Sequence, residues 1–288
     1  MKKVLGCMLA FLVLLSGMIS VKALERRDKE RSVSLTLTHK INFPLRVYYA
    51  ATLEKDDSLS LTGGFTDCKV DLTSEDYTTI ASTLSNYITD DIKPDYTGTI
   101  SNGTLNFSDL KQGLYIVEGD QVVQDGYIWS VVPFIISLPN NMDDKWCYDI
   151  TCEVKYKKVT DPAKDYKVIK LWENDNSSAR PKSIKVDLIW NNEVVDTITL
   201  DQTNNWTYEW CDEDGDGTWK VRESSIPNGY TMTVSRTENQ FIITNKKKSP
   251  PKKTKTGDTI FKSWPIYTIA AAIAVLVGTY IYTKKTND

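Results

Sequence analysis

Between residues 30 and 245, apolar and polar residues alternate in short runs separated by turn-forming residues. Successive side chains of a β-strand point to opposite faces, so this alternation predicts antiparallel strands that bury one face. The alternation is clearest at residues 32–37, and similar runs cover residues 45–49, 113–117, 127–138 and 146–154. We therefore expect an all-β fold over most of the chain.

One segment has a helical period instead. Its apolar residues recur every three or four positions and are Tyr77, Ile80, Ala81, Leu84 and Ile88. This spacing places them on one face of an α-helix, and Thr73 or Ser74 is expected to be the N-cap. The N-terminal β-domain should therefore carry one helix.

A polar segment at residues 157–164 contains three lysines and interrupts the strand pattern. It predicts a linker between an N-terminal β-sandwich at residues 30–158 and a smaller one at residues 163–245. From residue 246 to residue 260 the composition is dominated by Lys, Ser, Pro and Thr. Such a segment cannot bury a core, and we expect an extended stalk.

The two ends of the chain predict export and membrane attachment. Residues 1–23 combine lysines, a short apolar run and a small residue at each end of Val21-Lys22-Ala23, which is typical of a cleaved signal peptide. The 18 residues 265–282 are mostly apolar; at ~1.5 Å per residue they reach ~27 Å, enough for a transmembrane helix. The basic tail at 283–288 is then cytoplasmic, and residues 24 to about 260 lie outside the cell.

The net charge disfavours nucleic acid as a partner. The whole chain of 288 residues has a net charge of −3, but residues 24–245 contain 23 basic and 36 acidic side chains. An extracellular region with a charge of −13 repels phosphate backbones. The excess basic residues instead lie next to the predicted membrane span.

Few residues are available for enzyme chemistry. His39 is the only histidine, and none of the four cysteines outside the signal segment forms a CxxC pair. The chain therefore has too few histidines and suitably spaced cysteines for a zinc site or a histidine-based triad. We expect neither a cofactor nor turnover of a substrate. Cys152 shares the apolar face of its predicted strand and can meet Cys68 inside the first domain in a disulfide. Buried free thiols are the alternative.

An acidic segment matches the pattern of a calcium-binding EF-hand loop. The matching residues are Asp212, Asp214, Asp216, Gly217 and Glu223. The flanking residues alternate as strands, however, whereas an EF-hand requires helices on both sides. An acidic hairpin loop is therefore favoured over a calcium site.

The smaller domain resembles the Cna B-type domain of Gram-positive adhesins and pilins over essentially its whole length. The resemblance is carried by KVIKLWENDNSSARPKSIKVDLIW at its start, by WKVRESSIPNGYTMTV, and by FIITN at its end. In that family a lysine of the first strand and an asparagine of the last strand form an isopeptide bond, promoted by a glutamate. The resemblance implies these roles for Lys170, Asn245 and Glu223, and an immunoglobulin-like fold.

Strand parity agrees with this assignment. Lys170 shares a face with Val168 and Trp172, and Glu223 and Asn245 likewise share theirs with large apolar residues. All three polar side chains should thus point into the core. The alternative is an ordinary ion pair between Lys170 and Glu223, with Asn245 merely ending a strand.

The first domain is similar to the N-terminal domain of Gram-positive pilin subunits, through GLYIVEGDQVVQDGYIWSVVPFIISLP and WCYDITCEVK. In those subunits a lysine of the final strand is joined by a sortase to the next subunit. The matching lysine is Lys155, although Glu153-Val154 stands where Tyr-Pro is expected. An exposed, merely solvated lysine is the alternative.

The stalk, span and tail together resemble a sortase sorting signal, with cleavage between Thr256 and Gly257. Lys253 and Thr254 stand at the Leu and Pro positions of the LPxTG pattern. The resemblance implies either an unusual sortase or a protein that stays in the membrane.

These observations predict a cell-surface structural or adhesive subunit of a Gram-positive bacterium, with two immunoglobulin-like domains. The expected partners are a sortase, other pilin subunits or peptidoglycan, the membrane, and a host ligand. The alternative is a binding module that is anchored in the membrane and does not polymerise.

Overall fold

The computed structural model describes residues 26–142, 145–159, 165–212 and 217–248. We call residues 26–159 the first domain and residues 165–248 the second domain. The predicted signal segment, the stalk beyond residue 248, the Thr256-Gly257 motif, the span at 265–282 and the tail at 283–288 lie outside the described residues. In the part of the chain that is described, no helix has the length and hydropathy needed to cross a membrane.

The first domain contains thirteen strands and one α-helix among its described residues. The strands are β1 (Val33–Thr38), β2 (Pro44–Leu53), β3 (Leu59–Leu61), β4 (Tyr96–Thr99), β5 (Thr104–Leu110), β6 (Gly113–Gly119), β7 (Val122–Gln124), β8 (Tyr127–Val131), β9 (Phe134–Leu138), β10 (Asn140–Met142), β11 (Lys145–Cys147), β12 (Asp149–Glu153) and β13 (Tyr156–Val159). The helix α1 (Tyr77–Tyr87) lies between β3 and β4. The predicted β-fold with a helix is confirmed.

Two sheets enclose the main core of the first domain. One has the order β12-β1-β5, and the other has the order β3-β2-β6-β9 with β4 paired to β2. Alternation along β2 sends Leu45 and Val47 into the core between the sheets, whereas Tyr48 and Ala50 point to the opposite face. The helix α1 packs on that opposite face and forms a second apolar cluster there.

The helix begins at a different residue from the one predicted. Asp76 is the N-cap, and its carboxylate accepts a hydrogen bond from the backbone N–H of Thr79 at 3.0 Å. The predicted cap Ser74 instead accepts from the backbone N–H of Asp76 at 3.1 Å. The apolar residues Ile80, Ala81, Leu84 and Ile88 are buried as expected.

The predicted linker is wrong at its start. Residues 157–159 belong to β13, which pairs antiparallel with β8, so that Lys158 lies opposite Trp129. Two predicted runs are also divided, since residues 127–138 form β8 and β9, and residues 146–154 contribute to β11 and β12. Alternation persists across these breaks, which is why the pattern alone does not reveal them.

The second domain is a sandwich of two sheets. Its strands are β14 (Asp165–Glu173), β15 (Ser183–Trp190), β16 (Glu193–Asp201), β17 (Thr207–Cys211), β18 (Trp219–Glu223), β19 (Tyr230–Thr237) and β20 (Gln240–Lys247). One sheet has the order β17-β14-β20-β19 and the other β16-β15-β18. The first strand, β14, runs parallel to the last, β20, and apolar residues of both sheets fill the space between them.

Candidate functional site

Three polar side chains are buried in the core of the second domain. Lys170 is 3% exposed, Glu223 is 2% exposed and Asn245 is 0% exposed. Polar groups at this depth are unfavourable unless they have partners or a function. The structure therefore brings the three residues with predicted roles into one site.

The strand register explains how the three side chains meet. On β14, Lys170 lies opposite Ile243, and Trp172 lies opposite Asn245 on the parallel strand β20. Lys170 and Asn245 are consequently diagonal neighbours on the inner face of one sheet. Glu223 comes from the facing sheet, at the end of β18.

The contacts within the site are close. The amine nitrogen of Lys170 lies 3.6 Å from Oε2 of Glu223, and the amide nitrogen of Asn245 donates a hydrogen bond to Oε1 of Glu223 at 3.1 Å. The Lys170 amine also donates to the backbone carbonyl of Leu171 at 3.1 Å. Oε2 of Glu223 and Oδ1 of Asn245 have no hydrogen-bond partner.

Burial favours the uncharged forms of both ionisable groups. It lowers the pKa of Lys170 to about 7, although the charge of Glu223 opposes this shift. Burial likewise raises the pKa of Glu223, against the opposing effect of Lys170. Since the charged forms lose solvation in the core, the site favours an amine beside a carboxylic acid. A neutral amine is nucleophilic, and a protonated carboxyl can donate a hydrogen bond to a carbonyl oxygen.

Aromatic rings cover the amine. The ring centre of Trp172 lies 4.4 Å from the Lys170 nitrogen, and Trp172 packs edge-on against Trp206 and Tyr230. An ion pair that the sequence pattern does not indicate lies beside this shell, where Arg180 donates to Asp175 at 2.8 Å. The hydroxyl of Tyr230 also donates to Asp175, at 3.0 Å.

The other predicted site residues lie elsewhere. Lys155 follows β12 in the first domain, where its side chain is exposed and its carbonyl accepts a hydrogen bond from the Val132 N–H at 2.9 Å. Asp212 is buried, and its carboxylate accepts from the indole N–H of Trp219 at 3.0 Å. Asp214 and Asp216 lie outside the described residues. Strands flank this segment rather than helices, and the described residues contain no cluster of metal ligands.

The predicted disulfide is wrong, since Cys68 and Cys152 are both free thiols in the structure. Cys68 belongs to the cluster beneath α1, whereas Cys152 packs against the core between the two sheets. The sheet formed by β3, β2, β6 and β9 separates these clusters. Both side chains thus face inward but pack against different apolar clusters.

The second domain is similar in sequence to a known family of domains. Residues 166–246 match the family model described as Cna protein B-type domain. The second domain is a Cna B-type domain. A collagen adhesin of Staphylococcus aureus is 29% identical over 136 residues, which is 38% of this chain and 12% of the adhesin. The chain therefore spans only a small part of the length of this relative.

Solved structures with similar chains include adhesin repeats and pilins. A single B repeat unit of the collagen-binding surface protein of Staphylococcus aureus is 16% identical, with 76% of this chain and 99% of that chain covered and a TM-score of 0.28. The full-length major pilin SpaD of Corynebacterium diphtheriae is 16% identical, with 77% and 65% covered and a TM-score of 0.32. Because these TM-scores are low, the assignment depends on the sequence match of the Cna B-type domain.

Proposed function

We propose that this protein is a pilin-like or adhesin-stalk subunit on the surface of a Gram-positive bacterium, and that its Cna B-type domain is crosslinked by an amide bond between Lys170 and Asn245. The observation that supports the crosslink best is the burial of an amine, a carboxyl and a carboxamide in mutual contact inside an apolar core. The protein then bears mechanical load and does not turn over a substrate.

The proposed reaction is an exchange of amides. The neutral amine of Lys170 attacks the side-chain carbonyl carbon of Asn245. The protonated carboxyl of Glu223 polarises the carbonyl oxygen, once the Asn245 amide turns over to present that oxygen in place of the nitrogen that donates to Oε1. A new bond forms between the lysine nitrogen and that carbon, and the bond to the asparagine nitrogen breaks. Glu223 carries a proton from the attacking nitrogen to the leaving one, so that one ammonia departs and no oxidant is needed.

The fold supplies the concentration that such a slow reaction needs. Adjacent strands hold Lys170 and Asn245 side by side, and oriented neighbours react as if at very high concentration. The alternative is a stable buried ion pair, but that arrangement carries a large desolvation cost. The lowered pKa of Lys170 and the raised pKa of Glu223 favour the reactive, uncharged pair instead.

The intact mass of residues 24–248 tests the crosslink. We expect the wild-type chain to be lighter than its sequence mass by one ammonia molecule, and Glu223→Ala to have the full mass. Fragmentation should place the bond between peptides that contain Lys170 and Asn245. A folded wild-type chain of full mass would contradict the crosslink and favour an ion pair between Lys170 and Glu223.

The surface location is proposed from the ends of the chain. Residues 265–282 would hold the protein in the membrane, and a sortase acting at Thr256-Gly257 would transfer it to peptidoglycan or to another subunit. Because Lys253 and Thr254 replace the usual Leu and Pro, we expect a substantial fraction to stay in the membrane. Fractionation of protoplasts measures this fraction, and complete covalent recovery on peptidoglycan with a C-terminus at Thr256 would contradict it.

A further inference from the structure

The helix α1 of the first domain covers the edges of both sheets of the second domain. The strands β18 and β19 each end their sheet, so each has one side without a neighbouring strand. The side-chain oxygen of Asn86 accepts a hydrogen bond from the backbone N–H of Val221 on β18 at 2.9 Å. One turn earlier, the hydroxyl of Thr83 accepts from the backbone N–H of Val234 on β19, also at 2.9 Å.

Residues of the first domain contact three consecutive residues of β18. The ammonium group of Lys220 donates to Oε1 of Glu118 at 2.9 Å, and both residues are buried. Asn86 binds the backbone of Val221, and the guanidinium group of Arg222 lies over the ring of Tyr87, 5.3 Å from its centre. These contacts lie next to Glu223, the last residue of β18.

Along the edge that faces away from α1, β18 is hydrogen-bonded to one strand only. There β18 pairs with β15, and Glu223 lies opposite Val186. The position of Glu223 against Lys170 and Asn245 is therefore set by β15 on one side and by α1 on the other. We propose that the first domain positions Glu223 for the crosslinking reaction, and that Asn86 is the positioning residue; this inference rests on the proposed crosslink.

Open space beside β18 makes the position of this strand depend on the hydrogen bond between Asn86 and Val221. A cleft of about 550 Å³ lies between the domains and is lined by Asn86, Glu118 and Lys220, among others. Without its acceptor, the Val221 N–H would be buried and unsatisfied, which is unfavourable, and the strand has room to move toward water. A displacement of about 1 Å in a reacting constellation can slow a reaction by a factor of about 100.

Two substitutions at one position separate the hydrogen bond from the packing. Asn86→Leu keeps the size of the side chain and removes the acceptor, whereas Asn86→Asp keeps an acceptor for the Val221 N–H. Ile80→Val is a control for general stability, because it removes one methylene from the cluster beneath α1, to which no residue of β18 belongs. All variants are made in residues 24–248.

The rate of crosslinking is the measurement. The chains are synthesised in a cell-free system, translation is stopped, and the loss of one ammonia is followed by intact mass. We expect wild type, Asn86→Asp and Ile80→Val to react at similar rates, and Asn86→Leu to react at least about tenfold more slowly. Melting temperatures are measured in parallel, since a purely structural role would lower them without slowing the reaction.

The outcomes distinguish the two proposals. If Asn86→Leu is folded and reacts as fast as wild type, the positioning role is wrong while the crosslink stands. If wild type never loses ammonia, both proposals are wrong. Should Asn86→Leu fail to fold, Asn86→Ser is judged by the same criterion, because its shorter side chain does not reach the Val221 N–H.

Discussion

The amine nitrogen of Lys170 lies 3.6 Å from a carboxylate oxygen of Glu223, and both side chains are completely shielded from solvent. A buried charge pair is usually no more stable than apolar residues of the same volume. The contact is thus a weak explanation of stability but a good arrangement for proton transfer. The effect of this contact on the free energy of unfolding can be measured separately from its effect on the rate of crosslinking.

The first prediction concerns stability. Lys170 and Asn245 are 75 positions apart in the chain, and a covalent bond across such a loop restricts the unfolded state. By analogy with disulfides, removing the bond should lower the free energy of unfolding by roughly 4 kcal/mol. Lys170→Met removes the amine and leaves the carboxyl of Glu223, whose raised pKa favours its uncharged form once the lysine is gone. Urea unfolding of residues 24–248 gives the difference.

The control for this variant is Lys167→Met, three residues earlier on the same strand. Lys167 is half-exposed and pairs with the exposed Glu209 at 2.8 Å, so its replacement should change the free energy by at most about 1 kcal/mol. Equal losses in the two variants would contradict a covalent role for Lys170.

The second prediction is a bell-shaped dependence of the crosslinking rate on pH. The reactive pair holds one proton, with Lys170 neutral and Glu223 protonated. The rate should rise with pH as Lys170 loses its proton around its lowered pKa of about 7, and it should fall once Glu223, whose pKa is raised, becomes ionised. Intact mass against time at a series of pH values gives the profile. A rate independent of pH would argue against general acid-base catalysis.

The sequence predicts this site well but not the junction between the domains. The parity of β14, β18 and β20 places Lys170, Glu223 and Asn245 inward, because a strand has only two faces. Parity does not say which of two clusters a side chain enters, and the Cys68–Cys152 prediction failed for that reason. Thr83 and Asn86 were missed because polar residues on a helix usually face solvent, and only the tertiary arrangement buries them.

The third prediction concerns the buried contact between Glu118 and Lys220. These residues are 102 positions apart, in different domains, and nothing in either strand pattern links them. Removing one partner leaves a buried charge, so Glu118→Leu or Lys220→Met should each cost roughly 3 kcal/mol. The double variant should cost clearly less than the two single changes together. Urea unfolding of the four proteins measures the coupling, and strictly additive losses would show that the two side chains do not interact.

The fourth prediction concerns the thiols. Burial raises the pKa of Cys68 to about 12, so that it is protonated near neutral pH and does not react. Iodoacetamide at mildly alkaline pH should modify the exposed Cys211 in the folded protein and Cys68 only after unfolding. As a control, the intact mass of the protein is measured before and after reduction. A gain of two hydrogens on reduction would reveal a disulfide and contradict the free thiols.

The last prediction tests polymerisation through Lys155. An acceptor for a sortase must reach solvent, and Lys155 is exposed two residues after the end of β12. If subunits are joined at this amine, boiled cell-wall extracts of the producing bacterium should give a ladder on an immunoblot, and Lys155→Ala should abolish it. The amount of monomer should not fall, since an exposed side chain contributes little to folding. Lys40→Ala removes another exposed lysine of the first domain and should leave the ladder intact. A ladder that survives Lys155→Ala would assign the linkage to a different lysine, and a single band in wild type would favour the membrane-anchored binding module.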